Sequence, residues 1–142
     1  MSTRELQRSQ VLAALEAAPL DRIRLMKTLF LVWHRNGRPK DWPFTFTPYL
    51  YGPCSFEVYS ALDDLKAQSL VVQPSLPMPN WAPYHLTAEG KKLAKKSTGG
   101  LGLEIAKEIE ETARWAHNQG FRSLLKSVYG EAPDFAVRSV AR

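Results

Sequence analysis

Apolar positions recur every three or four residues over most of this chain, and the breaks fall where proline, glycine and asparagine stand. Leu6, Val11, Leu12 and Leu15 share one helical face. Ser2-Thr3-Arg4-Glu5 ahead of them reads as a capping box, a hydroxyl at the cap with a carboxylate three residues on. The spacing predicts a first helix over 3–17, broken by Pro19. Asp21 is placed to cap a second. Ile23, Met26, Phe30 and Trp33 line its face, and Leu25, Leu29 and Val32 widen it. A helix apolar over so much of its circumference belongs at the centre of a small domain. Asn36-Gly37 ends it.

Phe44 and Phe46 alternate with Thr45 and Thr47, which predicts a short strand over 44–51, kept to an edge by Pro43 and Pro48. A third helix is expected over 55–68, with Phe56, Tyr59, Leu62 and Leu65 repeating inward and Val58 beside them. Ser55 is its expected N-cap, and Cys54 is placed to pack on Tyr59 as a staple. Leu70 to Val72 and Tyr84 to Thr87 read as paired strands around the proline-rich loop Gln73 to Pro83, and Thr87 caps a fourth helix. Ser97 to Gly102, STGGLG, reads as a linker. Two helices follow, one over 103–118 with Ile105, Ile109, Thr112 and Ala116 on one face, the other marked by Phe121, Leu124, Leu125 and Val128.

That order predicts an α+β fold, mainly α: a winged helix-turn-helix core over 1–96 with a short β-wing, a linker over 97–102, and a C-terminal helical extension over 103–142. The extension either packs on the core or forms a homodimer through Leu103, Ile105, Ile109 and Trp115. At 142 residues the chain fits one domain with such an appendage. Its single cysteine forms no internal disulfide, the N-terminus has no signal-peptide pattern, and runs such as Leu29 to Trp33 are far too short to span a membrane. A cytoplasmic protein without a membrane partner is expected.

Candidate chemistry is sparse. Cys54-Ser55 follows a Gly-Pro turn, but no Gly-x-Ser-x-Gly elbow is present, and His34, His85 and His117 stand at no recognised spacing to it. No paired metal-ligand spacing or phosphate-binding loop occurs. The expectation is a protein that is not an enzyme and takes no metal or cofactor.

Several stretches carry a resemblance. RLMKTLFLVW, then the segment ending TPYLYGPCSFEVYSALDDLKAQSLV, then YHLTAEGKKL and SLLKSVYGEAPDFAVRS, resemble small bacterial proteins called YwgA-like and, more distantly, the Panacea domain of antitoxins. The match covers patches of residues 20 to 140, with Tyr-Gly-Pro at 51–53 its most specific motif. The resemblance implies a winged-helix core and little about activity. Panacea domains are associated with neutralising toxins, which is protein binding as much as DNA binding.

The formal charge of +5 permits binding to duplex DNA without requiring it. Arg22, Arg24 and Lys27, then Arg35, Arg38 and Lys40, then Lys91, Lys92, Lys95 and Lys96 form the basic clusters, with Ser55 at the start of the third helix. These are the candidate DNA contacts of a dimeric transcriptional regulator. Yet the third helix carries Glu57, Asp63 and Asp64 against Lys66, and the wing has no charge. The alternative is a protein-binding winged-helix subunit, antitoxin-like or associated with phage defence, acting through Leu76, Met78 and Trp81 of the wing and the aromatic surface.

Overall fold

In the computed structural model, which describes residues 1–75 and 81–140, the chain is α+β and mainly helical, with six α-helices and two two-stranded sheets among those residues. Helix α1 spans Thr3–Ala17. The Ser2 hydroxyl accepts the Glu5 N–H at 3.2 Å while the Glu5 carboxylate accepts the Ser2 N–H at 3.4 Å, so the capping box forms in both directions. Helix α2 spans Arg22–Arg35, its first free N–H groups met by Asp21, which accepts from Arg24 N–H at 2.9 Å. It is the central element: Leu25, Leu29, Phe30, Leu31 and Val32 are fully buried. Each such side chain contributes about 1.5–3 kcal/mol by leaving water.

Helix α5, Leu103–His117, lies against both α1 and α2. Its inner face is largely small, with Ala106, Ala113 and Ala116 buried beside Ile109, and α1 meets it with Ala13 and Ala14 buried. Small residues allow close helix approach. Packing on the core is one of the two outcomes expected for the C-terminal extension. Of the proposed dimer seam, Ile109 is fully buried, Ile105 and Trp115 pack on the core, and Leu103 alone stands exposed, at 87%. An amphipathic face reads the same in sequence whether the chain or a second copy covers it. The expected linker is also no free tether. Thr98–Leu101 forms a 3₁₀ turn after helix α4 (Ala88–Ser97) and packs on α1, with Leu101 against the core.

The segment after α2 departs from expectation as well. The ladder covers only β1, Thr47–Tyr49, paired antiparallel with an unforeseen β2, Gly52–Cys54. Pro48 faces Pro53, so the two donor-less residues share one rung. Gly52 takes φ +87°, and a Cβ there would stand 2.7 Å from the Tyr129 ring. Phe44 and Phe46 lie outside the ladder yet point inward, Phe46 edge-on to Phe30 at 5.5 Å, while Thr45 and Thr47 face solvent.

Helix α3, Phe56–Ala67, buries Val58, Ala61, Leu62 and Leu65. Strand β3, Val71–Val72, pairs with β4, His85–Leu86. Tyr84 N–H donates to Leu20 O at 2.8 Å, adding an antiparallel bridge from the α1–α2 connection. Thr87 accepts from Gly90 N–H at 3.1 Å and starts α4. Helix α6, Phe121–Glu131, and a 3₁₀ turn at Pro133–Ala136 close the chain, with the Phe135 ring 4.7 Å from Phe30.

Gly90 sits under the β3 entry, where an added Cβ would lie 2.0 Å from Leu70 O. In an open helix Gly→Ala stabilises by up to about 1 kcal/mol. Here the clash with backbone reverses the sign. Gly90→Ala is expected to destabilise by about 2 kcal/mol in urea unfolding, whereas Gly99→Ala, with nothing near its Cβ, changes little. Equal midpoints for the two variants would contradict the packing described.

Candidate functional site

The basic residues named from the sequence do not form one cationic face, because Arg24, Lys27, Arg35 and Arg38 are spent on internal bonds. Arg24 pairs with Asp21 at 2.5 Å and donates to Gln119 O at 3.1 and 2.8 Å, tying the start of α2 to the α5–α6 turn. Arg35 holds Glu131 at 2.6 Å, and Arg38 holds Asp134 through two bonds at 2.8 and 3.1 Å. Both carboxylates are pulled below their ordinary range by these guanidinium hydrogen bonds. Arg38 reaches Asp134 from a left-handed backbone, φ +53°, with its guanidinium over Trp33 and Phe135. Lys40 is exposed in the turn beyond. Ser55 is 1% exposed and makes no side-chain cap bond; its hydroxyl faces the Glu57 carboxylate at 3.3 Å. The expected capping role is therefore not performed by its side chain.

Lys27 is the least available of the set, 3% exposed, with Nζ donating to Pro53 O at 3.1 Å. Burial pulls its ammonium down to about 8, while Cys54 and Asp21 act the other way. Cys54 lies beside it, its thiol pushed up by burial despite a hydrogen bond with Tyr59. A thiol held protonated is poorly suited to attack. The Tyr59 hydroxyl is pushed up to about 12, first by burial. This buried knot anchors β2 and the start of α3 to α2.

From the knot an aromatic band runs outward. The Arg22 guanidinium lies over the Tyr59 ring at 4.4 Å, Tyr59 meets Phe56 at 6.1 Å, and Phe56 meets Tyr49 at 5.8 Å, the ring pairs edge-to-face. On the other flank of the hairpin, Tyr51 meets Phe121 at 5.6 Å, and Phe121 meets Trp81 at 4.8 Å. Phe56 is 63% exposed, and Tyr49, Leu50 and Tyr51 at the hairpin tip are exposed too. Phe56 was expected inside. Its register with Tyr59 and Leu62 suggests the core, but the α3 core stripe is set by Val58, Leu62 and Leu65. The tip was missed because one strand was expected over 44–51, whereas the chain turns back after Tyr49 and pairs Gly52–Cys54 with Thr47–Tyr49. Leu76 and Met78 lie outside the described residues. Trp81 is half-buried against Phe121 in a cluster with Ile23 and Leu124.

Two of the three acids on α3 also have structural partners. Glu57 accepts from Thr45 N–H at 2.6 Å and Gln7 Nε2 at 3.4 Å, and Asp64 pairs with Arg4 at 2.7 Å. The lysines of α4 are exposed together on one short helix. Lys91 and Lys95 rim a groove of about 520 Å³ with His85, over Leu15, Ala18 and Leu86. Lys92 stands 3.6 Å from Glu89, and Lys96 is exposed. Among the described residues, no helix is long and apolar enough to cross a membrane, and no three His, Cys, Asp or Glu side chains form a metal-binding group.

No family profile matches this chain. No curated protein matches it either.

Burial of Lys27 has a pH signature. An ordinary lysine loses its proton near 10.5 and this one near 8. Between those values the unfolded chain binds one more proton than the folded, so Lys27 makes stability rise with pH across that window. Cys54 and Tyr59, both raised, oppose this at higher pH. Comparison with Lys27→Met isolates the lysine. Urea unfolding from about pH 8 to 10.5 is expected to show wild type gaining on the order of 3 kcal/mol relative to the variant. A difference that stays flat would mean the ammonium is not buried in this way.

Proposed function

We propose that this chain is a winged-helix protein that works without catalysis, by binding a partner protein through the aromatic band. The wiring supports a winged helix: α1, a bridging residue at Leu20, α2, then α3, β3, a loop, β4 and α4, with Tyr84 joining the Leu20 bridge to the β3–β4 pair. The β1–β2 hairpin is an insertion between α2 and α3. The resemblance of the sequence to YwgA-like proteins and Panacea domains agrees with this reading and with an antitoxin-like or phage-defence-associated subunit.

The observation that carries the proposal is the exposure of Phe56, with Tyr49, Leu50 and Tyr51 beside it, at the end of α3 where a DNA-reading helix presents polar donors. Aromatic residues and arginine dominate the energetically important centres of protein interfaces, which are depleted of charge. The edge-to-face contacts fix the rings before binding, so little side-chain entropy is left to lose. The occupant is an apolar protein segment. Phe56→Ser with Tyr49→Ser is expected to weaken a captured partner about 100-fold in calorimetric titration, with the thermal melt of the fold unchanged. Full affinity in that double variant for every partner would refute the band as an interface.

A second reading, a DNA-binding regulator, is favoured by Lys91, Lys92, Lys95 and Lys96, which remain exposed on one short helix. On that reading the wild type binds duplex DNA at about 50 mM salt, the affinity falls steeply as salt rises, and Lys91→Glu with Lys95→Glu removes it. No binding by wild type at that salt would retire the reading.

A further inference from the structure

Arg22 breaks a pattern. Arg24, Arg35 and Arg38 each hold a carboxylate, while among the described residues none lies within ion-pair distance of Arg22. Arg22 is half-buried, and its Nε is buried with no hydrogen-bond partner. It also occupies the first position of α2, where the helix dipole disfavours a cation, and the adjacent acid, Asp21, is taken by Arg24. A cation placed against the dipole and left short of partners lowers stability. Its contacts are the face of Tyr59 and the phenol of Tyr84. A guanidinium stacked on a ring has its face covered and keeps in-plane N–H donors, the geometry that recognises a carboxylate through two parallel hydrogen bonds.

Tyr59 is also the inner end of the exposed series Tyr49, Phe56, Tyr59. We propose that Arg22 is the acid-recognising anchor of this surface: the partner lays apolar side chains on Phe56 and Tyr49 and sets an aspartate or glutamate carboxylate on the edge of the Arg22 guanidinium. The inference rests on the aromatic band being a protein-binding face, and charge complementarity selects the occupant. An apolar segment alone leaves Arg22 without an ion-pair partner, whereas one with a single acid supplies it in a half-dry site where the pairing is worth more than in water. Asp63, one turn beyond Tyr59 on α3, lies close enough to raise the Tyr84 hydroxyl and opposes an incoming carboxylate. It thereby limits how many acids the segment can carry.

The test uses the full chain and two blocked peptides, leucine and phenylalanine around one aspartate, and the same sequence with asparagine. Binding is read by calorimetry and by the ¹⁵N–¹H resonance of Arg22 Nε. The aspartate peptide is expected to bind about tenfold tighter and to shift that resonance. Arg22→Gln should abolish the difference between the twins while leaving asparagine-peptide binding intact, and Arg22→Lys should restore only part of it. Asp63→Asn should tighten the aspartate peptide. Circular dichroism establishes that each variant is folded. If the twins bind wild type equally and Phe56→Ser weakens both, the aromatic face stands and the anchor fails. If neither peptide binds, both ideas fail. If inorganic phosphate or a short DNA duplex moves the Arg22 resonance more than the peptide does, the anchor serves nucleic acid and the proposal is overturned.

Discussion

The buried ammonium of Lys27 sets much of the structure around it. A lysine at 3% exposure is tolerated only where an acceptor comes to it, and the acceptor is the Pro53 carbonyl. One residue earlier on α2, Met26 Sδ takes the Ser55 N–H at 3.2 Å. Two adjacent positions of one helix thus pin residues 53 to 55 against the core. Cys54 and Ser55 are buried in consequence. Phe56 follows at the first turn of α3, and the turn that buries Val58 and Leu62 carries its ring outward. The exposed aromatic is a consequence of how the hairpin is anchored.

The same logic governs the charge. A formal +5 suggests a cationic surface, but charge bears on binding only where it stays free. Three arginines of the α2 region are occupied in fastening later parts of the chain: Arg24 to the α5–α6 turn, Arg35 to the end of α6, Arg38 to the closing 3₁₀ turn. Exposed pairs of this kind are individually weak. Their effect here is cumulative and positional, since Phe135 between Asp134 and Ala136 is thereby seated on Phe30 and Trp33. Of the basic clusters, the lysines of α4 stay on the outside, with Lys40 beyond α2.

Most of the helices were legible in the sequence because their signals are local. Ser2 with Glu5, Asp21 and Thr87 each cap where the pattern places them, and the apolar spacing of α2 and α5 identifies the buried faces. What escaped depended on long-range partners. The β2 strand was hidden because Gly52 and Pro53 are poor strand formers, and only Thr47–Tyr49 and Lys27 make that conformation favourable. The 98–101 turn read as flexible because glycine content is local, whereas its packing on α1 is tertiary. For the surface, residue type predicted the clusters but could not predict which arginines lie within reach of Glu131, Asp134 or Asp21, and that decided their availability.

An exposed aromatic band is a liability in a protein that has no use for it, since apolar surface invites association. Burying one more ring here was open to the fold: the hairpin tip is short, and the α1–α3 groove beside Phe56, about 950 Å³, is roomy. The groove is instead lined by charged residues, Arg4, Glu5, Arg8 and Asp64 among them. Phe56 therefore stays between a polar cleft and the Tyr49 ring, supported edge-on from both sides yet uncovered. Rings fixed by neighbours but open to solvent are arranged as rigid contact area, and rigidity is worth most when a second molecule arrives, because the entropy of ordering them has already been lost in folding. On the proposed reading, Arg22 at the inner end would give that area a direction and a charge preference that an apolar patch alone would lack.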